Sequence, residues 1–590
     1  MGASTPLRLD RRELWDALGG VLVLHEDAHL LAVAKPAGVP CQSARPELPD
    51  DLPHRLKEHL RARGGDAYLG IHQRLDQATS GVVVYTRSKE ANPGLARQME
   101  GRTVRKTYVA AVRGEVGEGE VLLRHHLGRE GERSVVLDRP SRKSREAISR
   151  VRLLRRGAGD RALVEVRIET GRTHQIRAQL AHVGLPVAGD RLYGGERAPR
   201  LLLHAARLGL DHPVSGEPLD LRAPLPEVFE RWLAGEDGVP FTDPQAVRDA
   251  VRDAMESRWG LGRAGATERP TTAFRLLNRG GEGVPGLAVD VYGDHLVAHL
   301  YGDRATASAD RILDVLDELG FAGVYVKKHP RQKNELAEDE RRLLAPSTAV
   351  RGADAPDPLV VAEHGVGYAT ALGDGLSTGL FLDQRDARLR LAEVARGKRV
   401  LNLFCYAGAF GIAAAVGGAR EVVQVDVSRP ALDRAAQSEE ANGVRTERVR
   451  HDCFTWLANA VKRGERFDLV VVDPPSYSTT KGHRWTSGRD WVGLAESCLR
   501  VTRRDGVLVV SSNDGRMTTE ALRRHVHEGA RRAGVTLAQM KELPEPQDFP
   551  GAALHRLWIQ LGAEPARRGR PERRSDAPAR PKRRPRRRRG

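Results

Sequence analysis

The chain has 590 residues, 40% of them apolar and 29% charged, with 95 Lys and Arg against 78 Asp and Glu. That balance suits a multidomain globular protein and excludes a wholly disordered, collagen-like or disulfide-scaffolded chain. No apolar run reaches the ~18 residues that span a bilayer, and a net charge of +17 points to a polyanionic partner, of which nucleic acid is the commonest.

The opening MGASTPLRLDRREL has no apolar stretch of the kind a secretion signal needs. The four cysteines, Cys41, Cys405, Cys453 and Cys498, form no CxxC pair. A cytoplasmic protein with reduced thiols and no metal site is expected. Residues 1–234 read as an α+β unit rich in strands. Lys106–Val112 and Leu163–Ile168 alternate, the second with Val164, Val166 and Ile168 on one face. The segment His72-Gln73-Arg74-Leu75-Asp76-Gln77-Ala78-Thr79-Ser80-Gly81 precedes the strand Val82–Thr86. A carboxylate at a loop-to-strand junction can serve a cleft, although for this segment alone an Arg–Asp pair pinning a turn is the favoured reading. Thr170-Gly171-Arg172-Thr173-His174-Gln175-Ile176-Arg177 follows a strand and opens a helix, with Thr173 as its N-cap. Its cations make an anion-friendly corner.

In order along the chain, Lys35-Pro36-Ala37-Gly38, Arg74-Leu75-Asp76, Lys106-Thr107-Tyr108, Gly171–Arg177, Gly189-Asp190-Arg191-Leu192-Tyr193-Gly194 and Leu203-His204-Ala205 resemble the motifs of the RluA-type RNA pseudouridine synthases. The resemblance implies that Asp76 is the carboxylate acting at the ribose–uracil linkage. It implies that Tyr108 lies against the extruded uracil and helps its final deprotonation. Arg177 would pair with Asp76 and keep it ionised, and Arg74 would hold the displaced nucleotide. No cofactor is implied for this domain. Gln73 stands where the family has His, which leaves His72 without an implied role.

Gly235–Pro240 reads as a linker and Pro244–Trp259 as a helix with Val247, Val251 and Met255 on one side, together a linker-and-helix segment over 235–268. Residues 269–352 alternate short strands (Gly286–Tyr292, His295–Tyr301) with a helix (Ala309–Leu319) and read as a small α+β domain. From 353 to 563 strands and helices alternate, as in an α/β Rossmann-like doubly wound sheet. Arg399–Phe404 is a strand, Cys405–Gly411 a tight turn into a helix, and Glu421–Asp426 a second strand. Asp426 lies 18 residues after Gly408, the spacing of a carboxylate that grips ribose hydroxyls. A nicotinamide-binding unit shares that spacing, but its GxGxxG is absent. A third strand, Phe467–Val472, ends in Asp473-Pro474-Pro475-Ser476-Tyr477, where a rigid diproline can present carbonyls to a planar base. The tail Glu564–Gly590 holds 13 Arg and Lys against three acids and is expected to be disordered.

With Leu276-Leu277-Asn278, Asp290-Val291-Tyr292-Gly293-Asp294, Thr378–Arg385, His451-Asp452-Cys453-Phe454, Ser511-Ser512-Asn513 and Asp548-Phe549-Pro550, residues 265–563 resemble the class I ribosomal RNA methyltransferases of the RlmI and RlmK type. This implies S-adenosylmethionine (SAM) as cofactor, held by Asn402, Gly408, Asp426 and Asp452. The base would lie against Asp473, Pro474 and Pro475. The implied whole is a bifunctional RNA-modifying enzyme whose partner is RNA, 23S ribosomal RNA above all. Carbon-5 methylation of cytosine needs a thiolate, and Ser476, not Cys, follows the diproline. Guanine N7 is therefore the expected target. The alternative is a cytosine carbon-5 enzyme whose synthase domain serves mainly to bind RNA.

Overall fold

The computed structural model of the chain describes residues 19–42, 50–236, 238–264, 267–329, 343–475, 477–480, 483–552 and 554–563. The expectations for residues 1–18, Asp237, Ser476 and the basic tail fall outside them. Among the described residues no helix is long and apolar enough to cross a membrane.

The first unit is an eleven-stranded sheet over residues 22–222. Its central strands stand in the order Leu30–Lys35, Ser80–Thr86, Leu203–Asp211, Arg105–Arg113, Arg161–Ile168. Val164 and Val166 are buried on one face and Leu163 on the other, so layers cover both sides. Ser80–Thr86 and Leu203–Asp211 pair in parallel through His204–Ser80 and Ala205–Gly81. The backbones are closest at Gly81. Its φ is +119°, and a Cβ there would fall 2.2 Å from the Ala205 carbonyl oxygen, so no larger residue fits. This parallel contact sets the loop carrying Asp76 over the middle of the sheet.

The helix Pro244–Ser257 starts where Asp243 accepts a hydrogen bond from Gln245 N at 2.9 Å and Pro244 takes the first position. Sequence alone reads it as part of a linker. In the structure Val247, Val251 and Ala254 join Phe274, Leu276 and Ile312 in one core, so it packs as an element of the small domain. That domain is a five-stranded sheet in simple sequence order, Ala273–Asn278, Leu287–Tyr292, His295–Tyr301, Gly323–His329 and Arg351–Gly352. Its one parallel pair, His295–Tyr301 with Gly323–His329, is bridged by the helix Ala309–Asp317, because parallel neighbours need a crossover.

Strand–helix alternation does not begin at 353. A hairpin, Leu359–Glu363 with Val366–Thr370, and the helix Arg385–Val394 come first. The seven-stranded sheet then runs Glu447–Arg450, Glu421–Asp426, Arg399–Leu403, Phe467–Val472, Thr502–Ser512, His555–Leu561, Leu537–Glu542. Its first five strands are parallel, His555–Leu561 runs against them, and Leu537–Glu542 pairs antiparallel with that strand at the edge. Val470, Val471 and Val472 are fully buried, as a strand covered on both faces requires. The sheet is doubly wound, and SAM-type pockets open at the carboxyl ends of such strands.

One carboxylate joins three of these parts. Asp548, fully buried, accepts two hydrogen bonds from Arg385 at 2.8 and 2.7 Å and one from Arg275 N at 3.0 Å. Its backbone carbonyl accepts from Arg258 Nη2 at 3.0 Å. Burial alone would raise the Asp548 carboxyl, but Arg385 outweighs it and holds the group below its ordinary value. On the synthase side Arg55 donates to Glu256 Oε2 at 2.6 Å and to the Glu256 carbonyl, while its guanidinium lies 4.7 Å from the Trp259 ring. Asp548→Asn removes the nearest counter-charge of buried Arg385 and leaves it only Asp386 at 3.7 Å, and should cost roughly 3 kcal/mol, read as a lower urea midpoint of the C-terminal half. The folded value lies below that of the unfolded chain. The carboxylate's stabilisation is therefore complete above about pH 4 and is lost as pH falls through the folded value. An unchanged midpoint in the variant would show that the pair contributes nothing net.

Candidate active sites

A cavity of about 1330 Å³ in the synthase-like unit is lined by Arg74, Asp76, Tyr108, His174 and Arg177 together. The sequence separates these residues by up to 103 positions, and the central strands bring them to one cleft. Arg177 Nη1 donates to Asp76 Oδ2 at 3.2 Å, and His174 Nε2 stands 3.8 Å from the same oxygen. The tighter partner of Arg177 is Asp190, which takes Nε at 2.6 Å and Nη2 at 2.9 Å. Burial alone would lower the Arg177 guanidinium, and Asp190 first and Asp76 second hold it charged. Asp190 thus fixes the fork that reaches Asp76. Sequence reading quotes Asp190 only within a motif and assigns it no part. Arg74 is exposed and meets Gln42 Oε1 at 3.4 Å. Burial, with Asp76 adding to it, raises the Tyr108 phenol. It therefore stays neutral at pH 7, which suits contact with a base better than proton removal. His72 lies 3.2 Å from Thr86 Oγ1 and 3.3 Å from Asn92 Oδ1, a structural pairing. His174, not Thr173, holds the N-cap of the helix Gln175–His182; its φ is +50° and it makes no side-chain cap bond.

Beneath the Asp76 loop lies Lys35, 1% exposed. Its ammonium donates to the carbonyls of Pro36, Val39 and Gln77 at 2.9, 2.8 and 2.9 Å. Gly38 N adds a bond to the Gln77 carbonyl at 2.9 Å. The residue after Asp76 is therefore anchored from below. Burial lowers the lysine to about 7. A buried cation spent on three carbonyls is the signal that Lys35-Pro36-Ala37-Gly38 carries in sequence.

The second cavity, about 350 Å³, lies at the carboxyl ends of the parallel strands. Asn402, Asp426, Asp452, Asp473, Pro474 and Pro475 line it. Gly408 is not among the lining residues. Its φ of +76° and the side chains of Gln424 and Ala435, 2.8 Å from any Cβ, make it a turn former behind the wall. Phe404 and Tyr406 are also left-handed, at +54° and +48°, so the turn stores strain at the pocket. Asp426 holds that turn, accepting from Tyr406 N at 2.8 Å and Ser428 N at 2.9 Å. Asp452 caps the helix Cys453–Lys462, its Oδ1 taking Thr455 N at 2.8 Å. Asn402 donates to Gln424 Oε1 at 3.2 Å from a buried site. A strained turn, a carboxylate at the end of the second strand and an aromatic at Phe454 suit a nucleoside with hydroxyls and a planar base, so the residues fit SAM.

Near the diproline the wall is rich in acceptors. Among the described residues, Asp383 Oδ1 and Gln384 Oε1 are buried without a hydrogen-bond partner. Gln384 Nε2 donates to Ser511 Oγ at 2.6 Å. Burial raises Asp473 to about 6, with Asp383 contributing and Ser511 opposing. Sequence reading passes over Asp383 and Gln384 as part of a covering segment. Cys405 and Cys453 lie in the wall and Cys498 in the core. Burial raises all three thiols, and Cys453 Sγ is spent on Phe404 N and the Val425 carbonyl, both at 3.2 Å.

The family model described as RNA pseudouridylate synthase matches residues 29–182, and that described as S-adenosylmethionine-dependent methyltransferase matches 342–556. Together with the fold and the two cavities, they define a class, an RluA-type pseudouridine synthase fused to a class I SAM-dependent methyltransferase. Ribosomal RNA large subunit methyltransferase I of Aeromonas hydrophila is 34% identical over 305 residues, 51% of this chain and 75% of that protein. The Klebsiella pneumoniae protein of the same name is 32% identical over 325 residues, covering 54% and 80%. A solved structure titled human RNA pseudouridylate synthase domain containing 1 is 26% identical and covers 35% of this chain and 84% of its own, with a TM-score of 0.30. The chain belongs to the family of the large-subunit ribosomal RNA methyltransferases, and the synthase unit precedes that part.

Replacing Lys35 with Met keeps the packed volume but removes the lysine donor from the Pro36 and Val39 carbonyls and leaves the Gln77 carbonyl to Gly38 N alone. The expected loss is roughly 1–3 kcal/mol, read by urea denaturation of the full chain. Unchanged stability would show that the loop is held by its other contacts.

Proposed function

We propose that the chain is a cytoplasmic enzyme that isomerises uridine to pseudouridine and methylates guanine N7 in large-subunit ribosomal RNA. The observation that carries the first activity is the shared cavity of Asp76, Tyr108 and Arg177. Isomerisation breaks the N1–C1′ bond and makes a C5–C1′ bond with no net change in atoms, so no co-reactant is needed. A base inside a duplex must first be extruded. Asp76 acts at the ribose–uracil linkage, Arg177 pairs with it and orients it, Tyr108 supports the uracil, and exposed Arg74 meets the displaced strand.

For the second activity SAM supplies the methyl group, held by Asp426, Asp452 and Asn402. The choice of base follows from the wall. Guanine offers N1–H and an exocyclic NH₂ on one edge, and Asp383 Oδ1 and Gln384 Oε1 are acceptors that lack a partner among the described residues. N7 has an in-plane lone pair and needs no covalent step. The methylated ring gains a positive charge, which the Asp473 carboxylate stabilises. A carbon-5 cytosine enzyme needs a reactive thiolate, and the thiols of the cavity wall are buried and shifted away from ionisation.

Asp76→Asn should abolish tritium release from labelled uridine RNA and leave methyl transfer intact. Normal release would remove Asp76 from the chemistry.

The triple variant Cys405→Ser, Cys453→Ser, Cys498→Ala should keep most methyl transfer, and the unaltered enzyme should form no denaturation-resistant adduct with RNA carrying 5-fluorocytidine. A cysteine-dependent adduct would reassign the base to cytosine. The ionised form of Asp473 is the working form, so kcat/KM for methylation should fall about tenfold per unit below pH 6. Asp473→Asn should flatten that limb, and a limb that persists in the variant would assign it to another group.

A further inference from the structure

A groove of about 2420 Å³ runs between the synthase unit and the small domain. It shares Phe381, Asp383, Asn513 and Leu554 with the methyltransferase cavity, so the two spaces adjoin across these side chains. Phe381 is 48% exposed at that junction.

One wall is a stack of planar groups. The Tyr301 and His329 rings lie 4.4 Å apart at 9°, and the Arg279 guanidinium lies 4.2 Å from the Tyr301 ring. Two groups at that distance need the two opposite faces of the tyrosine, so Arg279 is the outer layer and its far plane faces outward. Arg279 is exposed and its φ is +29°, an unfavourable backbone for a non-glycine residue. The stack rests on a buried chain. Arg275 pairs with Asp290, whose Oδ2 lies 3.1 Å from His299 Nε2, and His299 Nδ1 lies 3.1 Å from His329 Nε2. Ionised Asp290 can only accept, so His299 Nε2 carries the proton. Burial keeps His299 neutral, and His329 Nε2–H therefore donates to His299 Nδ1. The platform is thereby fixed before any ligand arrives.

The other wall comes from the synthase unit. Arg191 Nη2 donates to the Gly281 carbonyl at 3.0 Å. Arg197 is exposed, and its Nη2 would lie 3.2 Å from a Cβ on Gly280. Both arginines thus stand beside the turn that carries Arg279. Basic groups along a groove with a stacking platform, leading to a base-sized pocket, match single-stranded RNA rather than a duplex.

We propose that this groove is the RNA track of the methyltransferase site, in which a nucleotide flanking the target base stacks on the Arg279–Tyr301–His329 platform while Arg197 of the synthase unit holds its phosphate. The synthase unit then serves methylation as a wall of the track, independently of its own cavity. The inference rests on the reading of the second site as an RNA methyltransferase.

The experiment uses the full chain with large-subunit ribosomal RNA and [³H-methyl]-SAM, and compares Arg279→Ala, Arg279→Lys and Arg197→Ala. Both alanine variants remove exposed side chains, and unchanged SAM affinity by calorimetry checks the fold. Arg279→Ala should raise KM for RNA in methylation about tenfold, with SAM affinity and tritium release from uridine unchanged. Arg279→Lys keeps the charge but loses the plane, and should recover less than half of that loss. Arg197→Ala should raise KM severalfold and reduce the salt slope of RNA binding by about one. If the unaltered chain methylates RNA and both alanine variants keep its KM, the inference is overturned and the methyltransferase reading stands. If the unaltered chain transfers no methyl group to RNA, the reading itself fails and the inference with it.

Discussion

The Asp548 carboxylate is the constraint on which the arrangement of the methyltransferase half depends. It lies in the connection between the last two strands, yet it holds Arg385 ahead of the first parallel strand, the first strand of the small domain through Arg275 N, and Arg258 after the linker helix. Arg258 also pairs with Glu282. A buried charge is expensive unless every lone pair is used, so each of these segments must arrive in register or the carboxylate is left unsatisfied. The same connection carries Phe549 and Pro550 to the groove. Asn278 Nδ2 donates to the Pro550 carbonyl at 2.9 Å and the Arg275 guanidinium lies 4.6 Å from the Phe549 ring. The position of the small domain over the cofactor cavity is thus fixed by polar contacts rather than by apolar area alone.

The two cavities use buried charge differently. In the synthase unit a cation is aimed at a carboxylate and held by a second one, so that Asp76 has a fixed partner while its side chain remains 29% exposed to the cleft. In the methyltransferase unit the carboxylates Asp383 and Asp473 crowd one wall, and burial raises both. A ligand that brings N–H donors and gains positive charge relieves that crowding.

Several features behave as positioning devices. Lys35 spends three donors on carbonyls below the Asp76 loop. Gly408 shapes the cofactor turn from outside the cavity, and Asp426 binds that turn at Tyr406 N with one oxygen and Ser428 N, the cap of the next helix, with the other. Asp426 therefore shapes the cofactor turn as well as lining its pocket, and its substitution acts through both.

Sequence patterns alone mark the class of each unit and point to Asp76, Asp426 and Asp473 as candidate site residues. Local patterns decide these: continuous apolar runs mark strands buried on both faces, and Asp76, Asp426 and Asp473 sit at strand junctions that short motifs display. The helix Arg429–Asn442 is likewise bounded locally, by Ser428 at its N-cap and Gly443 at its C-cap. Only the tertiary structure decided what depends on separations of tens to hundreds of residues. It gave Arg177 to Asp190 before Asp76, removed Gly408 from the cavity wall, moved the N-cap from Thr173 to His174, and packed the helix Pro244–Ser257 into the small domain's core. It also left Asp383 Oδ1 and Gln384 Oε1 without a partner among the described residues beside the diproline and set Arg197 against the turn bearing Arg279. Pairing of charges, satisfaction of buried acceptors and the path of a groove are properties of three-dimensional neighbours, and a linear pattern does not contain them.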